Sequence, residues 1–397
     1  MKAVRGQDGR GVTFINAMIE GRLSSLRVWG RRIAALHAAP AAGDRLVDLE
    51  GDRLLPGLIN AHDHLQLNSL PPLVHGAQYQ NVRQWIAAIQ VRRRADPQFE
   101  AQVRAPRATR LAVGGIKNLL SGVTTVAHHD PLYAPLRARD FPTAVVARYG
   151  WSHSLYLDGE AAVAAAYRRT PAAWPWIIHA AEGLDAEAAG EWARLEALGC
   201  AAANTLVVHG VALDETARSR LAALGAGLIW CPQSNLRLFG RSAAVSTLLR
   251  RGRVALGSDS RLSGSRDLLD ELRCAARIGE LSESELEALV TAAPARLLRL
   301  ADRGRLAAGL RADLLILRRG VRLGEARRCD VRLVMREGRA RCGDADLAQT
   351  IDAAVAWQRI RLDGVPKVLE PELARWLQER GAAEPGLDLA PPAWRAA

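Results

Sequence analysis

The chain has 397 residues, 49% of them hydrophobic, and a formal charge of +12. That is enough apolar material for a substantial core, in one large domain or a large and a small one, and it excludes a disordered chain or a coiled coil. Only three of the 54 basic residues are lysines, and the arginines are spread along the whole chain with no basic run interleaved with aromatics, so the charge reads as a coding bias and not as a nucleic-acid or membrane surface.

Residues 12–18 and 24–37 read as short strands broken by Gly21, Gly30 and Arg31-Arg32, and 47–51 alternates apolar and polar as a half-buried strand does. Similar short strands return at 312–317, 330–335 and 338–340. The two groups predict one β domain built from both ends of the chain, with a larger unit between them. After a loop containing Pro71-Pro72, helices are expected at 82–94 and 97–121, the second stopped by Gly122. Apolar runs at 123–129, 143–150, 176–179, 206–209, 227–232 and 253–259 then alternate with helical stretches at 160–169, 186–198, 214–224, 246–251 and 267–279. Continuous apolar strands alternating with helices indicate a parallel sheet covered on both faces. From about Asp344 a helical tail is expected, over 344–362 and 370–380, packed on the body by Trp357, Trp376 and Trp394.

Five cysteines, Cys200, Cys231, Cys274, Cys329 and Cys342, form no CxxC pair, and Met1 to Gln7 lacks the apolar stretch of a signal peptide. No apolar run reaches membrane-spanning length. A cytoplasmic protein with free thiols is the expectation.

The chemistry gathers at strand ends. In Pro56-Gly57-Leu58-Ile59-Asn60-Ala61-His62-Asp63-His64 an apolar run ends in two histidines two positions apart, which a β-strand points to one face. His179, His209 and Asp259 each close a later apolar run, spaced like strands of a β/α barrel. Three histidines and a carboxylate suit Zn²⁺, and also Fe²⁺ or Mn²⁺. Water in the remaining position would become a hydroxide source near neutral pH. Glu182, three residues after His179 at the strand exit, is placed as a proton shuttle, and His209 as a ligand or a polariser of the substrate.

With Gly122-Val123-Thr124-Thr125-Val126, His179-Ala180-Ala181-Glu182, Val208-His209-Gly210, Cys231-Pro232-Gln233-Ser234-Asn235-Leu236 and Gly257-Ser258-Asp259-Ser260, the chain resembles the amidohydrolase superfamily, in the branch of triazine hydrolases, guanine deaminase and S-adenosylhomocysteine deaminase. The resemblance runs from about Val12 to Ala340. It implies an α/β fold: a distorted (β/α)8 TIM barrel over 56–303 and a small β-sandwich from 1–55 plus 304–343, with the helical tail over 344–397 lying beyond the resemblance. It implies one divalent ion, Zn first and Fe as the alternative, held by His62, His64, His179 and Asp259. Glu182, His209 and Asp259 are then the catalytic groups: hydroxide generated at the metal attacks a carbon bearing an amine, with Asp259 and Glu182 moving protons. Binuclear relatives bridge their metals with a lysine at the end of the fourth strand. The barrel region of this chain has only Lys117, in a helix, so one metal is expected.

One stretch departs from the family. Between Gly150 and Trp176 only residues 152–157 could supply the fourth strand. Around the mouth, His128, His129, His153, Asn235, Arg237 and Arg261 are candidate substrate contacts. For the two arginines solvated surface is the simpler reading; either one facing the site would call for a carboxylate or similar anion on the substrate. His37 and His75 read as ordinary loop histidines, and Cys231 as a packed thiol. The function expected is hydrolytic deamination of an amino-substituted heterocycle of the purine, pterin, pyrimidine or triazine type. The alternatives are hydrolysis of a cyclic amide or a ring C–Cl bond at the same site, or an inactive barrel that only binds. The partner is a small molecule, without nucleic acid or membrane, and a homodimer is compatible with the sequence.

Overall fold

Eight short strands surround the histidines. In the computed structural model, which describes residues 11–73, 78–279 and 281–389, they are β1 (Leu58–Asp63), β2 (Val123–His128), β3 (Ala144–Val145), β4 (Gly150–Ser152), β5 (Trp176–Ala180), β6 (Thr205–His209), β7 (Gly227–Trp230) and β8 (Val254–Leu256). Every residue of β1, β2 and β5–β8 is buried, as strands covered on both faces must be. β4 to β8 pair in sequence order in one parallel sheet, and β1 to β3 in another. The Asp259 N–H donates to the His62 carbonyl at 3.1 Å, which links the exit of β8 back to β1. The result is a TIM-barrel-like domain whose chemistry-bearing side chains stand at the C-terminal ends of its strands.

Three local expectations change. The run 143–150 is not one strand. It holds the two-residue β3, and Gly150 opens β4. Residues 152–157 do not extend as a strand either: Ser154 accepts the Leu157 N–H at 3.1 Å and caps the helical turn Leu155–Asp158, so the fourth strand ends at Ser152. The helix expected over 97–121 breaks into Pro97–Arg104 and Arg107–Leu120. Pro106 forces Ala105 to an extended ψ of 150°.

The β-rich part is one 11-stranded sheet drawn from both ends of the described chain. Leu314–Leu317 lies antiparallel on Arg53–Pro56, with Leu315 opposite Leu55, and so joins the late strands to the early ones. Its apolar face is filled by Phe14, Leu26, Ile33, Leu314, Leu333 and Met335.

The tail differs most from expectation. Helix Ala345–Ile351 stops early, and Gln358–Leu362 and Val365–Leu369 are strands, joined later by Leu387–Leu389. The cause is a two-residue Asp-Gly hairpin: Asp363 and Gly364 have φ of 51° and 81°, and Leu362 pairs with Val365. Helix Pro371–Glu379 follows. Trp376 is buried edge-on to Phe141, and Trp357 packs half-buried on the sheet core. Trp394 and His75 lie outside the described residues, and His37 is exposed.

Candidate metal centre

The site is assembled from strand ends. The ring nitrogens of His62, His179 and His209 come within 4.8 Å of one another, as do ligand atoms of His62, His64 and Asp259. His64 Nε2 lies 3.2 Å from His179 Nε2, and Asp259 Oδ1 lies 3.7 Å from His62 Nε2 and 3.9 Å from His64 Nε2. His62 Nε2 is buried with no hydrogen-bond partner. A cation at their meeting point would satisfy it, so the residues present fit a divalent ion.

The other ring nitrogen of each histidine is held so that Nε2 keeps its lone pair. His64 Nδ1 meets Asp130 Oδ2 at 2.9 Å, His179 Nδ1 donates to the His153 carbonyl at 2.7 Å, and His209 Nδ1 donates to Asn235 Oδ1 at 2.9 Å. His129 Nε2 donates to the Ser152 carbonyl at 2.8 Å, which leaves its Nδ1 to accept from His62 Nδ1 at 3.3 Å. Fixing the tautomer and ring angle through the remote nitrogen is how proteins aim imidazole ligands. Asp259 is aimed in the same way: Oδ2 accepts from the Ser234 and Ser263 hydroxyls at 2.8 and 2.6 Å, and Oδ1 from the Ser260 N–H at 2.7 Å.

Backbone strain marks the same place. Ala181, His209 and Asp259 have φ of 53°, 73° and 51°, each at the exit of a strand, a conformation that persists only where its surroundings enforce it. Gly257 has a steric reason: a Cβ there would stand 2.6 Å from His62 Cβ.

Glu182 faces this cluster from one side, its Oε1 3.5 Å from His209 Nε2. Burial raises its pKa well above the ordinary value, and the charges of Asp259 and Glu191 raise it further. For Asp259 burial also acts upward, but the neighbouring His62, His64 and His209 outweigh it and hold the carboxyl well below the usual range. Burial lowers His179 and His129 well below normal and brings His209 to about 4. His64 goes the other way, to about 8, because the hydrogen bond and charge of Asp130 overcome its burial.

The remaining candidates divide. His129 and Asn235 hold His62 and His209, so both act through a neighbouring ring. His128 is buried, its Nδ1 accepting from the Leu65 N–H at 3.4 Å and its Nε2 without a partner. His153 stands at the mouth, its Nε2 3.4 Å from Asp130. Arg237 is exposed and donates to the Gly264 carbonyl. Arg261 is not solvated surface. It is buried, and its guanidinium donates to Glu384 at 2.8 and 3.1 Å and to the Asn68 carbonyl at 3.0 Å. The carboxylate partner is supplied by the chain's own tail. Sequence reasoning misses the roles of Asp130, Ser234 and Ser263, although Ser234 lies inside the Cys231–Leu236 stretch quoted above.

The amidohydrolase family model matches residues 172–341. A 5-methylthioadenosine/S-adenosylhomocysteine deaminase of Halobacterium salinarum is 28% identical over 339 residues, covering 72% of this chain and 77% of its own. That of Haloarcula marismortui is 37% identical over 124 residues, 29% of this chain and 28% of the relative, so the chain spans under a third of the length of this more similar protein. Among solved structures, an adenosine deaminase of Xanthomonas campestris with bound zinc superposes with a TM-score of 0.68 at 19% identity, over 83% of this chain and 92% of that one. A zinc-complexed atrazine chlorohydrolase of Arthrobacter aurescens gives 0.66 at 18%, over 83% and 94%; both likenesses concern the fold. The family match covers under half of the chain, and that stretch includes His179, Glu182, His209 and Asp259. The similarity runs to deaminases among curated relatives and to a deaminase and a chlorohydrolase among solved structures.

Proposed function

We propose that the chain is a metal-dependent hydrolase that removes an amine from an amino-substituted heterocycle of the purine, pterin, pyrimidine or triazine type. The observation that carries this is the convergence of His62, His64, His179 and Asp259, each aimed by a remote partner, with Glu182 and His209 standing 3.5 Å apart beside them. The deaminase names of the curated relatives support the C–N bond as the target. The eight strands in two parallel sheets, tied at Asp259 and His62, support a distorted (β/α)8 barrel as the frame.

His62, His64, His179 and Asp259 would hold the ion, Zn or Fe. Bound there, it would polarise the substrate and activate water as a nucleophile near neutral pH. Asp259, held ionised by its histidine neighbours, accepts the proton released by the attacking water. Glu182 keeps a proton to higher pH than a free carboxyl, as a group that protonates a departing amine must. His209, uncharged and fixed by Asn235, directs Nε2 toward the reacting region. The stretches after β1, β6, β7 and β8 share an apolar cluster of Leu70, Trp85, Val211, Leu238 and Leu262. With that cluster at the strand-exit end of the barrel and Arg261 already paired, an uncharged flat ring is favoured over an anion. A cytoplasmic enzyme acting on a small molecule, as a monomer or homodimer, is consistent with this reading; among the described residues no helix is long and apolar enough to cross a membrane.

The test is an ammonia-release screen of purines, pterins, pyrimidines and aminotriazines with Zn-loaded protein. Release from at least one class is expected. Chloride release from a chlorotriazine without ammonia would move the reaction to ring C–Cl hydrolysis. Silence toward every class would leave a barrel that only binds.

A further inference from the structure

Lys117 is the one lysine of the barrel region, and it is fully buried in helix Arg107–Leu120. Its Nζ lies 2.7 Å from Asn68 Oδ1, 3.1 Å from Asp63 Oδ2, 3.2 Å from Ser258 Oγ and 3.4 Å from the Asp259 carbonyl. Asp63 is equally buried and also accepts from Asn118 at 2.8 Å and Asn68 at 2.7 Å. A buried ion pair adds little net stability over an apolar pair of the same size, so its position is the informative feature. Asp63 sits between His62 and His64, and alternation along a strand sends its side chain to the opposite face. Ser258 and Asp259 form the exit of β8. A single ammonium group therefore ties together the two chain segments that carry three of the four proposed ligands. Asn60 reinforces the same seam, donating to Ser258 Oγ at 2.8 Å and accepting from the Ser258 N–H at 3.1 Å.

We infer that Lys117 is a positioning residue for the metal centre: its bonds to Asp63, Ser258 and the Asp259 carbonyl hold β1 and the β8 exit at the spacing that brings His62, His64 and Asp259 onto one cation. This rests on the metal reading proposed above. The competing account is that Lys117 does no more than neutralise Asp63. Removing both charges together separates the two accounts.

The experiment compares wild type, Lys117→Met and the double variant Lys117→Met/Asp63→Asn. Zn²⁺ affinity is measured by chelator competition, and Tm is measured on the metal-free proteins. Lys117→Met leaves Asp63 buried without its cation, so its Tm should fall and its Zn²⁺ Kd should weaken at least about tenfold, as loss of outer partners of a metal site commonly does. The double variant should regain much of the Tm but keep the weakened Zn²⁺ Kd; if the single variant does not fold, the double variant carries the comparison. A double variant with wild-type Zn²⁺ affinity would overturn the inference and leave Lys117 as a counter-charge. So would a folded Lys117→Met protein with unchanged affinity. Wild-type protein that takes up no zinc would instead remove the metal reading itself, and the inference with it.

Discussion

Glu182→Gln is expected to keep its metal, keep or tighten substrate binding, and lose at least about a hundredfold in kcat. Glutamine preserves the size and shape of the side chain but cannot ionise, and loss of a positioned general acid or base costs roughly 10²–10⁴ in rate. Position separates Glu182 from the ligands. Its carboxylate meets His209 Nε2 at 3.5 Å and is absent from both groups of ligand atoms that crowd within 4.8 Å. Its raised pKa, set by burial and by the neighbouring Asp259 and Glu191, is that of a group that holds and releases a proton. Metal analysis with steady-state kinetics on the screened substrate checks this. A Gln variant that purified metal-free would make Glu182 a ligand, and one with full metal and full turnover would make it structural.

Asp259→Asn should behave differently, losing metal and turnover together. Asp259 receives hydrogen bonds from Ser234, Ser263 and the Ser260 N–H while its Oδ1 faces His62 and His64. An asparagine must turn an NH₂ toward one of those sides. Turned toward the serines it makes their hydroxyls rotate to accept and leaves only a neutral amide oxygen facing the histidines; turned toward the histidines it removes the ligand oxygen and sets donor against the Ser260 N–H. Metal content should fall well below that of wild type in the same preparation, and turnover by at least about 10² because a proton acceptor goes too. A variant with full metal and reduced kcat alone would take Asp259 out of the ligand set and leave it as a base.

The site is legible in the sequence where the chemistry is carried by residue type and strand position. His62 and His64 share a strand face; His179, His209 and Asp259 close apolar runs; the structure brings them together with Glu182. Parallel strands buried on both faces print as continuous apolar runs, so β1, β2 and β5–β8 can be read within a few residues. What escapes depends on distant partners. Nothing near Asp130 in sequence says that it will meet His64, 66 residues away, and Lys117 reads as an ordinary helix residue until Asp63 is placed beside it. Glu384 pairs with Arg261 from 123 residues away. The tail strands are a different case. Leu362-Asp363-Gly364-Val365 is a hairpin signal in plain sight, overridden by a helical reading of the residues before it. The shortness of β3 and β4 has no comparable mark, because two or three residues cannot display a period.

The central claim is that one divalent ion organises this site. Wild-type protein should be analysed for metals as purified and again after stripping and titration with Zn²⁺. The account predicts about one equivalent of Zn or Fe per chain, because it reads His62, His64, His179 and Asp259 as one ligand set and the only lysine of the barrel region, Lys117, lies in a helix. Two equivalents bound with comparable affinity, or none at all, would contradict it.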